Sequence, residues 1–141
     1  MKKLIYLLLP ATVLFASACK KDSVDPIVVI TAATINGANE ETPTGSAATG
    51  TATGTFNTNT KELNLTITYS GLVAIAGHIH KGAVGTSGGV IFPLASLTSP
   101  ITFTATLDAT QEADLLAGLY YVNLHSVAFG GGEIRGQLVK Q

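Results

Sequence analysis

The sequence predicts an all-β fold: an antiparallel β-sandwich or a partly closed barrel with one short helix. Three observations support this prediction. Short segments alternate apolar and polar residues with a period of two, as strands with one buried face do. Clusters of Gly, Asn, Ser, Thr and Pro separate these segments at short intervals. One short segment carries the start and stop signals of a helix, so the strands must supply the core.

The first 18 residues have the features of a secretory signal peptide. Lys2 and Lys3 precede an apolar run over residues 4–15, and small residues then lead to Cys19. The run is shorter than the roughly 20 residues that a membrane-spanning helix needs. The segment also resembles a bacterial lipoprotein signal, in which cleavage leaves a lipidated cysteine at the new N-terminus.

Cys19 is the only cysteine, so an intrachain disulfide is excluded. The alternatives are lipidation, a free thiol or an intermolecular bridge, and the position of Cys19 at the signal boundary favours lipidation. We therefore divide the chain into a signal peptide at 1–18, a lipidated cysteine and tether at 19–26, and a β domain at 27–141. This organisation predicts an exported lipoprotein, anchored to a bacterial membrane in the periplasm or at the cell surface.

The expected mature chain carries a small negative charge. Loss of Lys2 and Lys3 reduces eight basic residues to six, against nine acidic residues. Because no basic cluster remains, nucleic-acid binding is not expected. Glu40 and Glu41 lie in a polar loop and are expected to be solvated. The remaining length suits one domain with its own hydrophobic core.

The first half of the β domain contains three predicted strands. Residues 27–31 are β-branched and apolar, as strand residues commonly are. After a polar loop at 36–50, segments 51–56 and 62–70 alternate apolar and polar side chains around the turn residues 57–60. These two segments are predicted to pair as a hairpin.

The second half contains the short helix and the remaining strands. Asp108 to Gln111 has the spacing of a capping box, which predicts a helix over 112–117 that ends at Gly118. Glycines make 81–89 a mobile loop, without the Gly-Lys-Ser/Thr sequence of a phosphate-binding loop. Strands are predicted at 75–80, 101–107, 119–127 and 133–139, and 90–94 is a short apolar segment that contains Pro93.

All three histidines lie in two of these strands. His78 and His80 share one strand face because alternate side chains point the same way, and Asn123 and His125 form a second such pair. Neutral imidazoles suit copper or zinc, so His78, His80 and His125 together would form a mononuclear metal site with an open position. The alternative is that the histidines are hydrogen-bonded packing residues that hold the 81–89 loop against the C-terminal hairpin.

Glu133 and Arg135 share a face of the last predicted strand. Two such charges near a strand end are more typical of structural ion pairs than of acid–base chemistry. Glu133 is also a candidate hydrogen-bond partner for His80 or His125 if these bind a metal. The sequence contains no strained serine elbow and no carboxylate pair spaced for glycoside hydrolysis, which favours a non-enzymatic role.

Several motifs resemble the CHRD domain, a module first described in chordin and also found in many bacterial secreted proteins and lipoproteins. They occur in the usual order at 39–43, 71–72, 78–82, 120–126 and 132–137. The resemblance covers roughly residues 31 to 139. It implies that Asn123, Glu133, Arg135 and Gln137 belong to the motifs of the family. It implies little about activity, because the bacterial members have no settled function.

The order of the histidines is also similar to that in copper–zinc superoxide dismutases. Those β-sandwiches place a His-x-His pair at a strand end and a later strand histidine before a glycine turn and a final strand. His78, His80 and His125 follow this order. The chain lacks the long zinc-binding loop and the cysteine pair, so the resemblance implies a topology and a metal site rather than dismutase activity.

These observations favour an exported, lipid-anchored CHRD-like protein that acts as a non-enzymatic binding or structural module of the cell envelope. Its expected partners are the membrane, through the lipid, and an envelope protein or glycan. The alternative is a mononuclear copper or zinc site formed by the three histidines, with a redox or metal-handling role. Metal analysis separates the two hypotheses.

Overall fold

The computed structural model describes residues 26–141. The predicted signal peptide at 1–18, Cys19 and most of the tether lie outside the described residues. None of the helices in 26–141 has the length and hydrophobicity needed to cross a bilayer. The elements are β1 (Ile27–Asn36), a 3-10 helix (Gly37–Asn39), β2 (Thr49–Asn57), β3 (Glu62–Ser70), β4 (Ala76–Lys81), β5 (Val90–Pro93), β6 (Ile101–Thr106), α1 (Ala109–Leu116), β7 (Tyr120–His125) and β8 (Ile134–Lys140).

The strands form one sheet of eight, in the order β5-β4-β7-β8-β1-β2-β3-β6. Every neighbouring pair is antiparallel. Strands β5 and β6 are opposite edges of the sheet, yet the ring centroids of Phe92 in β5 and Phe103 in β6 lie 5.4 Å apart. The sheet therefore curls until its edges approach, and the apolar side chains fill its interior. The predicted all-β, partly closed barrel with one short helix is confirmed.

The predicted hairpin is confirmed as β2 and β3, which pair without a break along their whole length. The Asn57 side-chain oxygen accepts hydrogen bonds from the backbone N–H groups of Asn59 and Thr60, which fixes the turn. Phe56 and Leu63 pair across the strands and are fully buried. The threonines that alternate with the buried residues of β2 are exposed, as the period of two predicts.

Strand β1 and helix α1 are longer than the sequence patterns predict. Strand β1 continues to Asn36, and its pairing with β2 is irregular between the buried residues Ala32 and Ile35. Helix α1 begins directly after Asp108. The Asp108 carboxylate accepts a hydrogen bond from the Gln111 N–H, and the Gln111 side chain accepts one from the Asp108 N–H. The predicted capping box is confirmed, and it brings 109–111 into the helix.

Strands β4, β7 and β8 each present one apolar and one polar face. Ile79, Val122, Leu124 and Leu138 point into the core and are fully buried. The alternating positions on the same strands carry polar side chains, which lie under the segments that connect the strands. These polar residues are His78, His80, Tyr121, Asn123, His125, Arg135 and Gln137.

Candidate metal centre

The pairing of β4 with β7 brings the three histidines together. His78 is opposite Asn123, and Ala76 is opposite His125. His125 is two residues from Asn123 on β7, so it lies on the same face of the sheet as His78 and diagonally across from it. The structure places one ligand nitrogen from each of His78, His80 and His125 within 4.8 Å of the others. Strand register therefore juxtaposes side chains that are far apart in the sequence.

Two of the three rings are oriented by backbone carbonyl groups. His80 Nδ1 lies 2.9 Å from the Gly88 carbonyl oxygen, and His125 Nδ1 lies 3.0 Å from that of Gly130. A carbonyl oxygen can only accept a hydrogen bond, so each Nδ1 carries the proton and donates it. Each Nε2 is then left with a free lone pair. Metal-binding histidines in proteins are held in this way, with the second nitrogen bonded to a carbonyl or carboxylate.

The third ring, His78, forms a hydrogen bond with one of these nitrogens. His78 Nδ1 lies 3.1 Å from His125 Nε2 and donates to its lone pair. In a tetrahedral site with metal–nitrogen bonds of about 2.0–2.1 Å, two ligand nitrogens are separated by about 3.3 Å. The His78–His125 separation is therefore close to that of two ligands of one ion. His80 Nε2 is buried without a hydrogen-bond partner.

The surroundings of the histidines favour the uncharged rings. Burial, followed by the neighbouring rings of His125 and His80, holds the pKa of His78 below its usual value. Burial also lowers the pKa of His80, although the Gly88 carbonyl group opposes this effect. Because a metal ion binds the neutral imidazole, lowered pKa values reduce competition from protons.

A stack of three side chains supports His80 on the side away from the other histidines. The rings of His80 and Tyr121 are nearly parallel, at 8°, with centroids 5.0 Å apart. The Arg135 guanidinium carbon lies 3.4 Å from the centroid of the Tyr121 ring, which is a cation–π contact. The Tyr121 hydroxyl also accepts a hydrogen bond from the Gly88 N–H. Gly88 is thus bonded to both Tyr121 and His80.

Arg135 and Gln137 hold the glycine-rich loop that the sequence predicts to be mobile. Arg135 donates hydrogen bonds of 2.8 Å to the carbonyl oxygens of Thr86 and Ala83. Gln137 donates to the carbonyl oxygen of Gly82. The loop is therefore fastened to β8 by side chains, in addition to its bond with His80. This loop forms a cover over the polar face.

The two acidic residues differ from their predicted roles. Glu133 accepts a hydrogen bond of 2.6 Å from the Ser46 hydroxyl, and no bond joins it to a histidine or to Arg135 in the described residues. The structural ion pairs expected for Glu133 and Arg135 are not found among the described residues. A hydrogen bond from His80 or His125 to Glu133, expected only if the histidines bind a metal, stays a prediction. Glu40, expected to be solvated, is half-buried and accepts a hydrogen bond from Asn123. Burial raises the pKa of Glu40, while the hydrogen bond from Asn123 and the charge of Arg135 lower it.

Tyr121 and Gly88 are parts of the site that the sequence did not predict. Tyr121 alternates with Asn123 and His125 on β7, so its place on the polar face could have been inferred from the period of two. The adjacent residues Tyr120 and Tyr121 are both buried. Tyr121 lies beneath the 81–89 loop, whereas Tyr120 lies in the core, where burial raises its pKa to about 12. Nothing in the sequence signals that Gly88 would orient a histidine.

Comparison with known proteins identifies the family. A family model of the CHRD domain matches residues 31–138, a range that contains His78, His80, His125 and the side chains around them. No curated protein and no solved structure matched the chain. The resemblance inferred from the motifs is confirmed, and the chain belongs to the CHRD domain family.

Proposed function

We propose that this CHRD domain binds one transition-metal ion, copper or zinc, through His78, His80 and His125. The observation that carries the proposal is the orientation of the rings. Two backbone carbonyl groups accept hydrogen bonds from Nδ1 of His80 and His125, which leaves the Nε2 lone pair of each ring available, and His80 Nε2 is buried without a partner. A buried lone pair with no donor is costly unless a ligand uses it.

The alternative, that the histidines serve only to pack the loop, explains part of this geometry. It accounts for the bond between His80 and Gly88, but Arg135 and Gln137 already fasten the same loop. It also accounts for the contact between His78 and His125, but it leaves the buried His80 Nε2, in the same cluster of ring nitrogens, without a partner. A metal ion would use all three nitrogens at once, and imidazole is a ligand that copper and zinc readily accept.

The chemistry of such a site follows from the number of ligands. Three protein ligands leave a tetrahedral ion with one open position, which is the arrangement of reactive or exchangeable sites rather than of closed structural sites. His78 is the least buried of the three ligands, so the ion would be approached from its side. This favours a metal-handling or redox role over a purely structural one.

The metal content of the purified protein tests this proposal. We expect about one ion per chain after incubation with excess Cu(I), Cu(II) or Zn(II) and removal of unbound metal. We also expect the melting temperature to rise with metal and fall again with chelator, because an ion that binds only the folded chain stabilises it. A pure interaction module would retain no ion and would melt at the same temperature in chelator, and this result would reject the proposal.

The location of the domain is part of the same proposal. We infer from the signal-like segment at 1–18 and from Cys19 that the protein is exported and anchored by lipid at the cell envelope. A metal site there would meet ions that enter or leave the cell. Mass spectrometry of the N-terminal peptide of membrane-extracted protein should find lipidated Cys19 at the first position. An unmodified Cys19 still preceded by Ala18 would contradict the anchor but not the metal site.

A further inference from the structure

The ligands of the candidate centre carry no negative charge that would offset the charge of a bound ion. Among residues 26–141, the group of potential ligands consists of three imidazoles and includes no carboxylate or thiolate. Imidazole brings no negative charge to offset that of the ion. The charge balance of the centre therefore depends on the residues behind the histidines.

The charged residue in the stack behind His80 is Arg135, and its charge is positive. Arg135 is 2% exposed and lies against Tyr121, whose other neighbour in the stack is His80. The hydrogen bonds of the guanidinium go to neutral oxygens, those of Thr86, Ala83 and the Gln137 side chain. In the described part of the chain no carboxylate forms an ion pair with Arg135, since both ion pairs there involve lysines.

Glu40 interacts electrostatically with Arg135, but the two residues form no ion pair. Its carboxylate is hydrogen-bonded to Asn123, and one oxygen is buried without a partner. Burial of this kind disfavours the ionised form. A buried guanidinium with no ion-pair partner in the described residues therefore lies behind the Tyr121 ring that stacks on His80.

We propose that this centre prefers monovalent copper, Cu(I), to divalent Cu(II) and Zn(II), and that Arg135 is the positioning residue that sets the preference. The inference rests on the proposed metal-binding function and adds to it the charge of the ion. A fixed positive charge repels a divalent ion twice as strongly as a monovalent one. At a separation on the order of 10 Å and an effective dielectric constant of about 20, each unit of ion charge costs about tenfold in affinity.

The coordination of the centre points to the same ion. Three neutral nitrogens would give Zn(II) no charge-compensating protein ligand. Imidazole is a common ligand of copper. Cu(I) carries a single positive charge, so it needs the least compensating negative charge from the site. The stack also limits how far His80 can move, because Tyr121 is held by Arg135 on one face and by Gly88 at its hydroxyl.

The experiment compares affinities for Cu(I), Cu(II) and Zn(II) by competition with chelators, using wild type, Arg135→Gln and Lys81→Gln. Lys81 follows His80 directly, but its ammonium group pairs with Asp114 at 2.7 Å on the surface. Both substitutions remove one positive charge, one from behind His80 and one from the surface; Arg135→Gln also removes the hydrogen bonds from Arg135 to the loop. We expect Arg135→Gln to shift the ratio of Cu(I) to Cu(II) affinity by about tenfold toward Cu(II). Lys81→Gln should leave the ratio within about twofold because the surface charge is screened.

A second variant separates charge from loop anchoring. Arg135→Lys keeps the charge but loses the two-pronged contact with the loop, so the ratio should stay near that of wild type. An Arg135→Lys ratio equal to that of Arg135→Gln, or an unchanged ratio in folded Arg135→Gln, would overturn the inference and leave metal binding intact. Tighter binding of Cu(II) than of Cu(I) by wild type would overturn it even if Arg135→Gln fails to fold. Absence of binding of any of the three ions would overturn the proposed function as well.

Discussion

Replacing His80 with alanine should abolish stoichiometric metal binding while the domain stays folded. Loss of an outer hydrogen-bond partner of a metal ligand commonly costs 10–100-fold in affinity, so loss of a ligand should cost at least about 100-fold. His80 lies on the polar face and not in the apolar core. Its removal gives up one hydrogen bond to Gly88, worth about 1 kcal/mol. The measurement is metal titration of both proteins, with circular dichroism as the test of folding.

Lys81→Gln is the matched control for His80→Ala, because it alters the adjacent residue of the same strand without touching a ring nitrogen. It should bind metal as wild type does. Identical titrations for wild type and His80→Ala would show that bound metal is held elsewhere. Equal losses in His80→Ala and Lys81→Gln would show that the effect comes from disturbance of β4 rather than from a missing ligand.

The fold could be predicted from the sequence because its strands follow simple alternation. The hairpin of β2 and β3 is the clearest case: Leu63, Leu65 and Ile67 point inward, and the polar residues between them point outward. The helix was predictable from the capping box at Asp108 and Gln111. Alternation assigns side chains to faces, but it does not reveal which strands are neighbours.

The sequence therefore predicts which side chains of the candidate site share a strand face, but not which strands and loops bring them together. The shared face of His78 and His80 follows from their spacing, whereas their approach to His125 depends on the pairing of β4 with β7. The partners of Glu40, Glu133 and Arg135 depend on loops that fold over the sheet. Glu133 reaches Ser46 and Arg135 reaches Thr86, and both contacts span more than 40 positions of the chain. Such contacts follow from tertiary packing and leave no local signal in the sequence.

Ile79→Ala should destabilise the domain strongly and leave the ligands of the candidate centre in place. Ile79 lies between His78 and His80 in the sequence, but it points to the opposite face and is fully buried in the core. Truncation of a buried isoleucine to alanine costs about 2–5 kcal/mol, because transfer free energy is lost and a cavity remains. Ile79→Val, which removes one methyl group, should cost only about 0.5–1.5 kcal/mol. Urea denaturation of the metal-free proteins measures both effects, and equal stabilities of the two variants would contradict the assignment of Ile79 to the core.

The Ile79→Ala variant also tests whether metal binding at the polar face of β4 stabilises the fold against a defect on its apolar face. An ion that binds only the folded chain adds about 2.7 kcal/mol of stability at a free concentration of 100 times its dissociation constant. Metal should therefore restore much of the stability that Ile79→Ala loses, and it should fail to do so in the double variant Ile79→Ala/His80→Ala. If metal stabilised the single and double variants equally, the ion would be acting away from the histidines, and the polar face of β4 would have no metal-binding role.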